Sequence, residues 1–293
     1  MATILGHMVK NIKKYNMYKI NMIGGGFQHD VCSSALNKNK YVEWTKDRSS
    51  NVSIHIDYAI NQPVNPNNLN FGWIAESSCI VPSIIENVKN NINYYKQQFK
   101  YIFTHDKRII SLDNTFFKFV PPNALSYIQN KKIYQKTKKV SFIVSNKSMS
   151  NGHRFRLEVL KKYLNKNIDH YGIGFSTELP LVINVDGNQE SGKLLALKDY
   201  NFSFCFENDN YPSIFCEKLT DCFATGTIPI FWGTPDIGDF FDINGMIIYD
   251  DNFDFNCLTE DFYLSKKDSI INNFQICNDL LSSEDYIYIN YIK

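Results

Sequence analysis

The chain has 293 residues, a formal net charge of +1 and 44% hydrophobic residues. This length allows one large or two medium α/β domains, and the near-neutral charge gives no reason to expect nucleic acid as the main partner. No apolar run approaches the ~20 residues of a membrane-spanning helix, and the N-terminus lacks the pattern of a secretion signal. Seven cysteines without a CxxC pair favour reduced thiols in a cytoplasmic protein.

The first half alternates short β-rich runs with a helical pattern, which is typical of a parallel sheet with crossover helices. The helical pattern covers Ser83–Phe99. The predicted strands are Tyr18–Ile23, Val52–Asp57, Asn70–Ala75, Tyr101–Thr104 and Phe116–Val120. Pro121-Pro122 ends this half, and the polar stretch Gln129–Lys139 is interpreted as a linker.

The second half begins with a predicted strand at Val140–Val144, a helix at about His153–Leu164 and a short strand at Ile168–Gly172. Its most regular part is a β-loop-α-β unit, because two apolar runs flank a helical pattern that ends at a glycine. The parts of this unit are the strand Phe202–Phe206, the loop Glu207–Pro212, the helix Ser213–Thr225, Gly226 and the strand Thr227–Trp232. The pattern is helical again from about Asp261 onward.

The polar residues of this unit are suited to binding a diphosphate. Glu207 and Asn208 follow the first strand, at the edge where open α/β sheets bind their ligands. The helix directs its free N–H groups to the same edge, where Lys218 adds a charge and Glu217 can accept from hydroxyl groups. From spacing alone, Glu217 and Lys218 can also be exposed helix charges, with Lys218 paired to Asp221.

A longer signature runs through 199–250. It reads Phe-x-x-x-Phe-Glu-Asn, then Glu-Lys, then Gly-Thr-x-Pro-x-x-Trp-Gly. This stretch resembles the donor-binding signature of glycosyltransferase family 10, the α-1,3/1,4-fucosyltransferases and their bacterial and viral relatives, and the similarity extends back to Ser141–Gly172. The resemblance implies an α/β fold of the GT-B type, in which two Rossmann-like domains face each other across a cleft.

The resemblance also implies roles for single residues. Lys218 and an arginine after Ser145-Asn146, either Arg154 or Arg156, would hold the diphosphate of the donor. Asn208 and Glu217, in the motif that also contains Glu207, would contact its ribose or sugar. The donor would be GDP-fucose, and no metal ion or other cofactor is expected.

One position departs from the family pattern. The family often has Tyr-x-Thr before Glu-Lys, whereas this chain has Ile214-Phe215-Cys216. A hydroxyl contact to the donor is therefore expected to be missing, which leaves the identity of the transferred sugar open.

The first half contains the candidate general base. The apolar run of 71–75 leads into Glu76 and is similar to a strand–Glu element of the family, so Glu76 is the candidate for deprotonating the acceptor. Such a base works best with a raised pKa in a partly dry cleft. The alternative is a helix-capping or surface glutamate.

Weaker candidates for the acceptor side follow two other strands. His29 and Asp30 come after Gly24-Gly25-Gly26, and His105 comes after Tyr101–Thr104. The glycines lack the GxGxxG pattern and favour a tight turn with a close approach to the backbone. None of these residues has the spacing of metal ligands.

The sequence thus predicts an acceptor-side domain over 1–135, a donor-binding domain over 136–265, and a helical segment over 266–293 that packs back across both. By resemblance, we expect inverting transfer of a sugar, L-fucose from GDP-fucose, to a glycan or glycoconjugate hydroxyl. Two alternatives stay open: the same fold with another nucleotide sugar, and a catalytically silent nucleotide- or glycan-binding relative.

Overall fold

Two parallel sheets organise the chain, each within its own unit. The computed structural model describes residues 17–24, 32–34, 36–46, 48–173, 182–185 and 189–293. The N-terminal unit consists of the described residues up to Asn123 together with Tyr211–Ile214 and Leu281–Lys293. The C-terminal unit consists of the described residues in Ala124–Asn210 and Phe215–Leu280.

The described strands of the N-terminal unit form one parallel sheet with the order β2-β1-β3-β4-β5-β6. They are β1 (Tyr18–Ile23), β2 (Val42–Thr45), β3 (Val52–Ile56), β4 (Leu69–Ile74), β5 (Ile102–Thr104) and β6 (Phe117–Phe119). The helices between them are α1 (Pro82–Asn90), α2 (Ile92–Gln98) and α3 (Lys107–Ile110). Every residue of β3 is buried, as expected for a parallel strand that is covered on both faces.

The helical pattern over Ser83–Phe99 is confirmed, and it forms two helices that are separated at Asn91. This residue has φ −130° and ψ 32°, and its side-chain amide donates to Asn87 O at 2.9 Å. Asparagine side chains compete with the backbone for such bonds, which interrupts the regular helix. The short strand β2 was missing from the prediction, since four residues give too little periodicity.

The described strands of the C-terminal unit form a second parallel sheet with the order β12-β11-β10-β7-β8-β9. They are β7 (Lys138–Ser145), β8 (Asp169–Ile173), β9 (Val182–Asn184), β10 (Tyr200–Phe206), β11 (Ile228–Trp232) and β12 (Ile247–Ile248). The helices of this unit are α4 (Asn151–Tyr163), α5 (Glu190–Leu197), α6 (Glu217–Thr225), α7 (Glu260–Ser265) and α8 (Lys267–Asp279). The α/β class with two Rossmann-like parallel sheets is therefore confirmed.

Strand β10 lies in the middle of this sheet, and all seven of its residues are buried. The helix that follows it ends at Gly226 as predicted but begins at Glu217, so the predicted start at Ser213 is wrong. Ser213 has φ 65°, in the left-handed region, and Cys216 is extended. The backbone N–H of Cys216 donates to the carboxylate of Glu207 instead of entering a helix.

The stretch interpreted as a linker is bound to the C-terminal unit over part of its length. The backbone N–H of Lys132 donates to Ala224 O at 2.9 Å. The ammonium group of Lys136 donates to Thr225 O at 2.8 Å and to Lys198 O at 3.1 Å. Burial lowers the pKa of Lys136 to about 7, and its amine caps α5 and α6 through these hydrogen bonds to their last carbonyl groups.

The last α-helix, α9 (Ser283–Ile287), belongs to the N-terminal unit and is followed by a π-helix at Tyr288–Ile292. Its buried Glu284 accepts from the backbone N–H of Ser33 at 2.6 Å, and its buried Asp285 accepts from that of Lys40 at 2.6 Å. These bonds fix Ser33 and Lys40, two described residues of the connection from β1 to β2. Within the described ranges, no helix is long and apolar enough to cross a membrane.

Candidate donor site

Glu207 joins the end of β10 to the start of α6. Its side chain is almost fully buried, its Oε1 accepts from the backbone N–H of Cys216 at 2.9 Å, and its Oε2 lies 2.9 Å from the Cys216 thiol. Burial and the carboxylates of Glu207 and Glu217 raise the pKa of Cys216 well above its ordinary value. The thiol is therefore protonated and donates to Glu207.

The Glu-Lys pair forms the first turn of α6. Lys218 Nζ lies 2.8 Å from Cys216 Sγ and 3.7 Å from Glu207 Oε2. Burial works against the charge of Lys218, but the carboxylates of Glu217 and Glu207 favour the charged form, and its pKa is raised. Burial would also raise the pKa of Glu217, but Lys218 and Lys193 lower it to about 2. Both residues of the pair are therefore ionised at neutral pH.

The alternative that this pair consists of exposed helix charges is wrong. The side chains of Glu217 and Lys218 are only 21% and 28% exposed. Asp221 does not lie within ion-pair distance of Lys218 but is paired with Lys193, whose Nζ is 2.8 Å from its Oδ2.

The two arginines after Asn146 have different surroundings. Arg156 is 5% exposed, and its Nη2 donates to Phe206 O at 2.7 Å, at the end of β10. Arg154 is exposed and donates to Asn151 Oδ1 at 2.5 Å and to Ser148 O at 3.1 Å, within its own helix start. Arg156 is therefore the arginine that lies next to Glu207. We call Arg156, Glu207, Cys216, Glu217 and Lys218 the donor cluster.

Two glycines let the backbone close around Glu207 and Asn208. The N–H of Gly152, in the first turn of α4, donates to Asn208 O at 2.9 Å. A Cβ atom at Gly152 would lie 1.9 Å from Glu207 O, and one at Gly233 would lie 2.8 Å from Glu207 Cγ. Since real Cβ atoms do not approach so closely, side chains at these positions would displace the loop after β10.

Three residues in or beside the donor cluster were not predicted from the sequence: Cys216, His153 and Lys193. Cys216 was noted only for the hydroxyl that it lacks. His153 is buried, its Nδ1 is 2.7 Å from Ser150 Oγ, and burial, Arg156 and Lys218 lower its pKa to about 4. Lys193 lies on α5, a helix for which no prediction was made, so no signal pointed to it.

Glu76 lies where the sequence placed it, directly after the strand β4. It is exposed, and the backbone N–H groups of Ala75 and Glu76 donate to Asp57 Oδ1 at 2.9 and 3.2 Å. Asp57 has φ 48°, and burial raises its pKa to about 6. A buried carboxylate thus orders the backbone that carries Glu76, and the role of Glu76 as the base stays a prediction.

The other acceptor-side candidates are only partly described. His29 and Asp30 lie outside the described residues. His105 follows β5 but is 4% exposed, and its Nε2 lies 3.0 Å from the hydroxyl of Tyr211. Burial lowers the pKa of His105 to about 4, so its ring is neutral. A contact between His105 and an acceptor stays a prediction.

A cavity of about 240 Å³ lies at the carboxyl ends of β1 and β2. It is lined by Gly24, Thr45, Lys46 and Arg48 among others. Of the three consecutive glycines, only Gly24 lies in the described part of the chain. This places the start of the glycine run at a concave surface of the N-terminal unit.

Comparison with known proteins identifies the segment that contains the donor cluster. Residues 133–274 match the family described as glycosyltransferase family 10 (fucosyltransferase) C-term. A stretch of 75 residues is 35% identical to the α-(1,3)-fucosyltransferase FucT of Helicobacter pylori. That stretch covers 25% of this chain and 16% of the relative.

Solved structures match over more of the chain. A crystal structure of an α1,3-fucosyltransferase matches with a TM-score of 0.50 and 16% identity over 95% of this chain and 85% of that one. The same kind of enzyme with GDP matches with a TM-score of 0.51 and 16% identity, over 92% and 85%. A DNA-modifying β-glucosyltransferase matches with a TM-score of 0.50 and 11% identity, over 89% and 94%.

At these identities, the structural matches establish a shared fold alone, and the family match is confined to residues 133–274. The match includes every residue of the donor cluster, which the structure brings together at the end of β10. Residues 133–274 are therefore similar to the C-terminal, fucosyltransferase domain of glycosyltransferase family 10.

Proposed function

We propose that this chain is an inverting glycosyltransferase that transfers L-fucose from GDP-fucose to a hydroxyl group of a glycan or glycoconjugate. The observation that carries the proposal is the donor cluster, which combines two cations with ordered carboxylates inside the matched segment. The Helicobacter pylori relative is named an α-(1,3)-fucosyltransferase, and one structural neighbour contains GDP. Both support a guanine nucleotide sugar as the donor.

The donor cluster supplies the groups that this donor requires. Lys218 and Arg156 hold the diphosphate, while Glu217 and Asn208 contact hydroxyl groups of the ribose or sugar. Glu217 is suited to this task because an ionised carboxylate can only accept hydrogen bonds. The two cations and the free N–H groups at the start of α6 meet the charge of the diphosphate, and the proposal includes no metal ion.

The proposed reaction is a single displacement. Glu76 takes the proton of the acceptor hydroxyl group. At the same time the oxygen of that hydroxyl group forms a bond to the anomeric carbon of the sugar. The bond between that carbon and the diphosphate oxygen breaks, GDP leaves with the bonding electrons, and the configuration inverts. The transition state resembles an oxocarbenium ion. Lys218 and Arg156 stabilise the charge that develops on GDP, by about 3–4 kcal/mol for each contact of this kind.

A second candidate function is the same transfer with another nucleotide sugar. The observation that favours it is the segment before α6, where Ile214 and Phe215 are buried and apolar. Cys216 directs its thiol to Glu207. None of these three residues offers the hydroxyl group that the family often has here.

Calorimetric titration with GDP-, UDP- and dTDP-sugars distinguishes these functions. We expect GDP-fucose to bind and to release GDP in the presence of a suitable glycan, with an α-linked product by NMR. Turnover of another nucleotide sugar, without binding of GDP-fucose, would favour the second candidate. Donor binding without nucleotide release across a broad acceptor panel would favour a silent relative.

We also propose a cytoplasmic location. All seven cysteines are free thiols, which suits a reducing compartment. The location can be checked by cell fractionation with an antibody against the chain.

A further inference from the structure

Lys193 is a buried lysine at the rear of the donor cluster. It lies on α5, and its side chain is 5% exposed. Its Nζ is 2.8 Å from Asp221 Oδ2 and 3.3 Å from Glu217 Oε1. Burying an ammonium group is costly unless carboxylates compensate its charge. Here the compensating carboxylates are those of Asp221 and Glu217.

Asp221 has further partners of its own. It is fully buried, and its Oδ1 accepts from the hydroxyl of Ser126 and from the backbone N–H of Tyr127, both at 2.7 Å. These bonds hold Asp221 in place independently of Lys193. Asp221 is therefore a fixed anchor for the ammonium group.

Glu217 interacts through its carboxylate with Lys218, Lys193 and the side chain of Cys216. It precedes Asp221 by four residues, and like charges at this spacing in a helix repel each other. The ammonium group of Lys193 lies within ion-pair distance of both carboxylates, and its positive charge offsets their mutual repulsion. Without Lys193, the Glu217 carboxylate would lose the buried ammonium partner at 3.3 Å that fixes its orientation, whether or not Asp221 is charged.

We propose that Lys193 is a positioning residue of the donor site, which holds the Glu217 carboxylate in the orientation that binds the hydroxyl groups of the nucleotide sugar. The inference rests on the proposed function, because it takes Glu217 to be a donor contact. Lys193 is too buried to touch the donor and acts through Glu217. The competing role is a purely structural one, in which Lys193 only neutralises Asp221.

The experiment is a double-mutant cycle in an Asp221→Asn background. This background removes the buried charge that would otherwise be left unpaired, and the amide oxygen can still accept from Ser126 and Tyr127. Lys193→Met and Glu217→Gln are added to it singly and together, and the affinity for GDP-fucose is measured by calorimetry. Thermal unfolding of each variant confirms that it is folded, and Lys198→Met is the matched control, since Lys198 is exposed at the end of α5.

We expect Lys193→Met to weaken donor binding about tenfold in this background, and to have little further effect once Glu217 is glutamine. Equal losses with and without the Glu217 carboxylate, or no loss at all, would overturn the positioning role. If the wild-type chain and the Asp221→Asn background bind no nucleotide sugar, the proposed function fails as a whole. If they bind and Glu217→Gln weakens binding but Lys193→Met does not, only the inference about Lys193 fails.

Discussion

The carboxylate of Glu207 accepts a hydrogen bond from the backbone N–H of Cys216 at 2.9 Å, across nine positions of sequence. The bond sets the start of α6 and brings Lys218 to the end of β10. Glu207, a residue of the donor-binding signature, thus orders the backbone at the start of α6. The consequences for donor binding can be tested residue by residue.

Lys218→Ala should weaken the binding of a GDP-sugar by about tenfold or more, because a charged contact to the diphosphate is lost. Lys218→Arg should recover part of the affinity. Calorimetry measures both, with Lys161→Ala on the exposed face of α4 as the control. Unchanged affinity in Lys218→Ala would remove this residue from the phosphate site.

Substitutions of Arg156 and Arg154 should have clearly different effects on donor affinity. Arg156→Met is expected to weaken donor binding about tenfold or more, whereas Arg154→Met should change it less than about twofold, because only Arg156 lies next to Glu207. Since Arg156 also binds Phe206 O, thermal unfolding is measured alongside affinity. A larger loss in Arg154→Met would reverse the assignment.

Glu76→Gln should leave donor affinity intact and lower turnover by ~10²-fold or more, because glutamine cannot accept the acceptor proton. Single-turnover release of GDP measures the effect. Glu86→Gln, on the exposed side of α1, is the control. Activity close to that of the wild type would exclude Glu76 as the base.

Glu284 should make stability depend on pH. Burial raises its pKa to about 7, above the ~4.3 expected in the unfolded chain. Its contribution is therefore fully present below that lower value and is lost as pH rises through about 7. We expect the free energy of unfolding to decrease by up to about 3 kcal/mol across this range.

Urea unfolding at several pH values between about 5 and 8 tests this expectation, with Glu284→Gln as the comparison. The variant should lose most of the pH dependence, since its amide can still bond to Ser33 but does not titrate. Parallel pH profiles for the two proteins would mean that Glu284 stays ionised in the folded state.

The unit from β10 to β11 could be predicted from sequence because its signals are local. The continuous apolar run of β10 is typical of a central parallel strand, and Gly226 marks the end of α6. The start of α6 could not be predicted from local signals in the sequence. Ile214 and Phe215 have the spacing of a helix, but the left-handed Ser213 and the bond from Cys216 to Glu207 exclude one there.

Residues whose partners lie on other elements were the hardest to predict. Lys193 acquires its role from Glu217 and Asp221, 24 and 28 positions away, and neither sequence spacing nor residue type reveals that contact. Arg156 and Arg154 differ by two positions and could not be told apart until the direction of each side chain was known. The family resemblance suggested the roles, and the tertiary contacts show only that Arg156, not Arg154, lies next to Glu207.

The close packing at Gly152 limits which substitutions and loop replacements this part of the chain can accept. Because a single methyl group there would occupy the place of the Glu207 carbonyl, the first turn of α4 and the loop after β10 share one volume. Any replacement of Gly152 therefore alters both segments at once. Loop grafting aimed at new donor sugars should therefore treat 150–156 and 206–208 as one piece.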